Sequence, residues 1–409
     1  MWLITPNAFL RHLAIFSLLP AAGLLRGADD APPTNAPALP PLPAPQAVPT
    51  PGPVTDAPYV PQAILPGGIV VPLFPPDSPY LNQARIREAE VYNMAPGTPG
   101  RIASIVNIHN PSIEVHTVAP NMNTGAVVLL AAGGGHNTLN VGAESADFVP
   151  FFYNYGVNTV ILRNRLRRDG YNPKTDEVYD ALQAIKLVRA HAKDWHFDPD
   201  KIGVMGFSAG AELAAPAAIL FAEFDQKNNT PDNPLAAVSS RPDFVGIIYP
   251  GPSPFANGAS PAIPRNTPPA FLTCAGWGDA QHATWANEYF TAMLKAGVPN
   301  VEMHMYARGH HPGDRVGPDE PVSTPGLADR GFIAYGTWHL RFIDWFRVLG
   351  FLGKSGVETQ AAKDVAANVS RPPRGPGGAN RGSRTGNGAP ATPPATTPPA
   401  SPTPGGVSP

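Results

Sequence analysis

Residues 201–215 read Lys-Ile-Gly-Val-Met-Gly-Phe-Ser-Ala-Gly-Ala-Glu-Leu-Ala-Ala, and this stretch decides the fold. Residues 201–206 form a short apolar run of strand type. Residues 208–221 are rich in Ala and Leu and read as a helix. Between them Gly206-Phe207-Ser208-Ala209-Gly210 fits G-x-S-x-G. In a glycine-rich chain the pattern alone is moderate support; a strand before it and a helix after it are what such a turn requires. The turn is so tight that side chains two residues either side of the serine would collide with neighbouring backbone. Ser208 is then held in a strained conformation, hydroxyl exposed, with a helix N-terminus behind it that favours negative charge.

Outward from this turn, strands and helices alternate. Residues 125–131 are continuously apolar, as a strand buried on both faces should be. Then come a helix over 148–155, a strand over 157–162 and a long amphipathic helix over 176–195. After the serine turn follow strands over 244–249, 270–275 and 301–306, a helix over 282–296 and a last helix over 336–349. Residues 101–109 and 112–117 read as an antiparallel pair at the start. This alternation predicts an α/β chain: a mostly parallel sheet with helices on both faces.

A serine hydroxyl is a poor nucleophile and needs a base. With the nucleophile on such a turn, an acid and then a histidine should follow, each after a later strand. Asp279 lies in Gly276-Trp277-Gly278-Asp279, and His310 in Arg308-Gly309-His310-His311. His310 is read as the base and Asp279 as its partner. His311 is the rival, one residue on and expected to point elsewhere, with a substrate contact as its role. Asp314 and Asp319 follow the histidines and are set aside. The plainer reading of Asp279 is a cap for helix 282–296; His282 would cap that helix or line the cleft. Gly133-Gly134-Gly135-His136 follows strand 125–131, where the N–H groups of Gly134 and Gly135, with that of Ala209, would form an oxyanion hole. No G-K-[ST] follows, which disfavours a nucleotide loop. His136 and Trp277 are candidate substrate contacts. Arg163, Arg165, Arg167 and Arg168 could grip an acidic sugar, but pairing with Asp169, Asp176 and Asp180 is the favoured reading.

Composition bounds the rest. The 409 residues include 53 prolines, of which 13 fall in 29–66 and 11 in 371–409. These ends cannot bury a core; the stretch between them, roughly 300 residues, can. A net charge of −2 argues against a dedicated nucleic-acid binder. The single cysteine, Cys274, allows no intramolecular disulfide. No histidine spacing matches a metal site, and no cofactor is implied. In residues 1–28, Arg11 and His12 precede an apolar run over 13–25, the pattern of an export signal, against the plainer reading of a buried helix. The expected organisation is signal 1–28, Pro-rich linker 29–66, catalytic domain 67–365 and disordered tail 366–409. The mature protein is expected to be periplasmic or secreted, with no membrane partner.

From about residue 125 to residue 349 the chain resembles the α/β-hydrolase superfamily, and more narrowly the carbohydrate esterases that include acetyl xylan esterases. The stretches DALQAIKLVRAHAKDWHFDPDKIGVMGFSAGAELAA (180–215) and KAGVPNVEMHMYARGHHPGD (295–314) carry the resemblance. It implies an α/β-hydrolase fold, a triad of Ser208, Asp279 and His310, and an oxyanion hole from Gly134, Gly135 and Ala209. It also implies an acyl-enzyme route acting on acetylated polysaccharide or oligosaccharide. Three positions depart from the family's usual residues: Ala211-Glu212 after the elbow, His136 after the glycines and His311 after the expected base. Other readings are a short-chain lipase-like esterase or serine peptidase of the same fold, and a non-catalytic binding module. The polar segment 225–243, the candidate lid, disfavours a lipase, and a complete triad disfavours a binding module.

Overall fold

The computed structural model describes residues 56–312 and 332–372. The signal, most of the linker and the tail beyond residue 372 lie outside the described residues.

Eight strands form one sheet in the order β1-β4-β6-β5-β7-β8-β9-β10. They are β1 (Ile69–Pro72), β4 (Ser112–His116), β5 (Val127–Ala131), β6 (Asn158–Arg163), β7 (Ile202–Phe207), β8 (Val245–Ile248), β9 (Ala270–Trp277) and β10 (Glu302–Arg308). β1 and β4 enter antiparallel, and every pairing from β6 to β10 is parallel. Alternate residues of a strand serve opposite faces. In β5, Val127, Leu129 and Ala131 therefore join one core with α2 (Val178–Ala190), α3 (Ala211–Lys227) and α4 (Ala280–Ala296). Val128 and Leu130 join the other, with α1 (Phe148–Tyr153) and α5 (Trp338–Val348). The α/β architecture expected from the sequence is the one observed.

Chain order fixes where a site can form. From β5 the chain crosses to β6 on one side, then returns to place β7 on the other side of β5. The loops leaving β5 and β7 thus part in opposite directions and open a crevice at the carboxyl ends of these strands. The glycine turn leaves β5 there, and Ser208 leaves β7.

Four expectations are corrected. Residues 101–109 do not pair with 112–117. β3 (Ile102–Val106) pairs with β2 (Val91–Met94) in a separate hairpin, because β4 is already paired on both sides, by β1 and β6. The linker does not extend to residue 66: the Ile64 and Leu65 N–H groups donate to the buried Glu114 carboxylate at 2.6 and 2.9 Å. The domain does not end at 365, since α6 (Gln360–Ser370) buries Ala361 and Val365 and is capped by the Thr359 hydroxyl. Segment 225–243 is no lid. It sits where β7 begins, Asp243 accepting from the Ile202 N–H at 2.9 Å, the full length of the strand from Ser208. Among the described residues, no helix is long and apolar enough to cross a membrane.

Candidate active site

Ser208 follows β7 directly, with φ +51°. Both flanking glycines are sterically required. A Cβ on Gly206 would overlap the Gly210 carbonyl, and one on Gly210 would overlap the Ala131 carbonyl of neighbouring β5. The serine and the glycine turn are thereby locked together. Ser208 heads a single 3₁₀ turn, Ser208–Gly210, that runs into α3. Ala209 is buried in this turn.

The Ser208 hydroxyl meets a histidine, and it is His311, not His310. Oγ lies 2.8 Å from His311 Nε2. The imidazole of His310 is buried instead: its Nδ1–H donates to the Gly278 carbonyl at 3.2 Å, and its ring meets Phe332 edge-on at 4.8 Å. Gly309, at φ +156°, turns the chain, with Tyr335 packed where a side chain would stand. With the His310 ring held by Gly278 and Phe332, His311 is the histidine that reaches the serine.

Asp279 occupies the N-cap position of α4 but caps nothing with its side chain. Its Oδ1 is hydrogen-bonded to Nδ1 of His282, and its buried Oδ2 has no hydrogen-bond partner. The expected pairing of Asp279 with His310 is absent. The cause is local: three residues into the helix, His282 folds back over the helix start. The His282 ring stacks on His311, centroids 4.2 Å apart at 25°.

A cleft of 710 Å³ opens over Ser208 and His311. Gly134 and Gly135 line it, with Ala103 and Arg101 of the β2–β3 hairpin region and Asn140, Glu144 and Asp147 beyond the glycine turn. Arg101 and Asp147 form an ion pair at 2.6 Å on its rim. Trp277 stands exposed at the end of β9, outside this lining. His136 also lies outside this lining. It is buried behind the turn at φ +60°, between Glu177 at 2.8 Å and Glu212 at 3.3 Å. Burial opposes a charge on this ring, and the two carboxylates outweigh it, holding the group at about 9. The arginine run is structural. Arg163 pairs with Glu90 and Glu114, and Arg165 with Asp180; Arg167 donates to the Gly135 carbonyl at 2.9 Å and so braces the turn.

Sequence reasoning missed Glu144. Its fully buried carboxyl accepts the Gly133 N–H at 2.7 Å and meets the Tyr249 hydroxyl at 2.8 Å. Burial pushes it up to about 7, against both hydrogen bonds. Nothing in the surrounding run Val141–Phe148 marks this glutamate as buried. Among the described residues, no group of three or more His, Cys, Asp or Glu side chains could hold a metal ion.

Comparisons with known proteins agree with this architecture. Residues 114–248 match the BD-FAE family. That span holds the glycine turn and Ser208 and ends before Asp279 and both histidines. The chain is 33% identical over 100 residues to endo-1,4-beta-xylanase B of Butyrivibrio fibrisolvens, covering 24% of this chain and 15% of that protein. It is 29% identical over 131 residues to an acetylxylan esterase of Xylanibacter ruminicola, covering 32% of this chain and 24% of that one. The aligned segments thus span less than a quarter of either relative's length. Among solved structures, the acetyl ester-xyloside bifunctional hydrolase from Caldicellulosiruptor lactoaceticus superposes with a TM-score of 0.50 at 24% identity, covering 71% of this chain and 100% of that one. The chain has the α/β-hydrolase fold and is similar to carbohydrate esterases.

Proposed function

We propose that this chain is a serine ester hydrolase that removes acetyl groups from plant polysaccharide such as acetylated xylan. The observation that carries the reading is Ser208 Oγ at 2.8 Å from His311 Nε2, on a strained elbow at the floor of an open cleft. His311 Nε2 takes the hydroxyl proton as Oγ bonds to the ester carbonyl carbon. The carbonyl oxygen becomes an oxyanion, received by the N–H groups of Gly134, Gly135 and Ala209. Collapse breaks the bond to the sugar oxygen, which leaves with the proton from His311. Water then attacks the acyl-enzyme, again through His311, and frees acetate and the serine. The Asp279 carboxylate supplies negative charge beside the base by way of His282.

The rim supports a sugar substrate. Arg101, Asp147, Asn140 and Thr98 give the cleft polar groups suited to a hydroxyl-rich partner rather than a long acyl chain. Similarity to an acetylxylan esterase points the same way. The apolar run over 13–25 supports export to the periplasm or beyond.

Acetate release from acetylated xylan by the full chain tests this. Ser208→Ala and His311→Ala should each lower kcat by roughly 10⁴- to 10⁶-fold. His310→Ala should keep kcat within a few-fold and cost about 1–3 kcal/mol of stability, because it removes a buried hydrogen bond. Ser208-dependent cleavage of an aryl acetate without release from xylan would keep the esterase and discard the polysaccharide. A wild-type chain inert on both would discard the hydrolase.

A further inference from the structure

We propose that His136 is a positioning residue that sets the spacing between the two halves of the oxyanion hole, through its contacts with Glu177 and Glu212. The inference rests on the reading of Ser208 as nucleophile and of the Gly134, Gly135 and Ala209 N–H groups as the hole. Those donors come from two separate segments. Gly134 and Gly135 belong to the turn after β5, and Ala209 belongs to the elbow after β7. An oxyanion hole works only while its donors keep a fixed relative position. The glycine turn cannot supply that by itself. Gly134, at φ +132°, and Gly135, at φ +61°, have no side chains to anchor, and glycine backbone has the widest conformational range. His136 is the first residue of the turn with a side chain. Its ring is buried beside Ala209 and Gly210, behind the donors.

The ring reaches a carboxylate on each side. Nδ1 lies 2.8 Å from Oε2 of Glu177, which holds the N-cap position of α2. Nε2 lies 3.3 Å from Oε1 of Glu212, in the first turn of α3. The first contact is a hydrogen bond, and the second is an ion-pair contact without hydrogen-bond alignment. Each carboxylate is itself tied to the frame of the site. Glu177 accepts the Arg167 N–H at 2.9 Å, and the Arg167 guanidinium donates to the Gly135 carbonyl. Glu212 lies against Gly251, where a Cβ would overlap its Oε1, and the Gly251 N–H donates to the Ser208 carbonyl at 3.3 Å. The elbow runs directly into α3. His136 therefore joins the glycine turn to the helix that follows Ser208 and Ala209.

Steady-state kinetics of the full chain on an aryl acetate, beside inhibition by phenylboronic acid, test this. The boronic acid adds to a serine oxygen as a tetrahedral anion and places an oxygen where the oxyanion forms. His136→Phe keeps a ring and loses both nitrogens. It should lower kcat about 100-fold with KM changed less than about threefold, because the donors are misplaced rather than removed. Boronate binding should weaken by a similar factor. Glu212→Ala should act in the same direction. The double variant should be no slower than His136→Phe alone, because the ring that Glu212 holds is already gone. A merely structural role would lower the denaturation midpoint and leave kcat per folded molecule unchanged. Folded His136→Phe with the wild-type kcat and boronate affinity would overturn the proposal. If that variant does not fold, Glu212→Ala decides, and a wild-type kcat there overturns the proposal equally. Additive losses in the double variant would show that Glu212 acts apart from His136 and would overturn the link between the two segments. A Ser208→Ala chain as active as the wild type, or a wild type inert on the ester, would overturn the nucleophile reading itself, and this inference with it.

Discussion

Glu144 shows how burial alone turns a surface residue type into a titrating part of the site. The carboxyl is 1% exposed and lies near 7 because the charged form is costly to bury. Below the ordinary carboxylate range both folded and unfolded states hold the proton, and the residue adds no pH dependence. As pH rises toward 7 only the unfolded chain releases it, so stability falls across that window. Glu144→Gln keeps the shape and an acceptor for Gly133 while abolishing the titration. Relative to wild type the variant should gain roughly 3 kcal/mol between pH 4 and pH 8, read from denaturation midpoints at both values. A gap that stays constant with pH would show that the folded and unfolded chains hold this proton equally, and that burial does not shift the group. Among site residues, Ser208 was legible from its spacing, because its glycines obey local sterics. His311 was not, because choosing between adjacent histidines depends on Gly309, Phe332 and Tyr335 packing around them.

At the scale of elements, period-two and period-3.6 patterns located the strands from β5 to β10 and the helices from α1 to α5. Elements with weaker patterns escaped notice. β1 and β2 have four residues each, too short for a period to register. α6 lies beside a proline-rich tail and has only two buried side chains, Ala361 and Val365. Its attachment is instead polar and distant in sequence. Asn300 donates to Asp364 at 2.8 Å, Asn368 donates to the Arg265 carbonyl at 3.0 Å, and Arg265 donates to the Asn368 and Arg371 carbonyls. A chain ended at residue 372 should unfold like the full chain. One ended at residue 359 should lose about 2 kcal/mol from the uncovered apolar area. Equal midpoints for the two would mean that α6 is dispensable.

Across the whole molecule, the N-terminal residues reach back to a charge cluster buried under the antiparallel edge of the sheet. Arg163 is fully buried against Glu90 and Glu114, and it also donates to the Gln62 carbonyl. Glu114 takes the Ile64 and Leu65 N–H groups on its other side. Breaking one side of such a cluster leaves buried charge without its partners. A chain starting at residue 67 should therefore be about 3 kcal/mol less stable than one starting at residue 56, measured by urea unfolding; equal stability would show that the segment contributes nothing. The sequence by itself determined the α/β class, the serine elbow and the glycine turn, because these rest on periodicity and on contacts between residues near in the chain. Only the tertiary structure decided which histidine faces Ser208, that Asp279 bonds to His282, that Glu144 is buried, and that Ile64, Leu65 and α6 pack onto the body. Each of those depends on groups far apart in the chain that the fold brings within a few ångströms, and no local pattern records such a meeting.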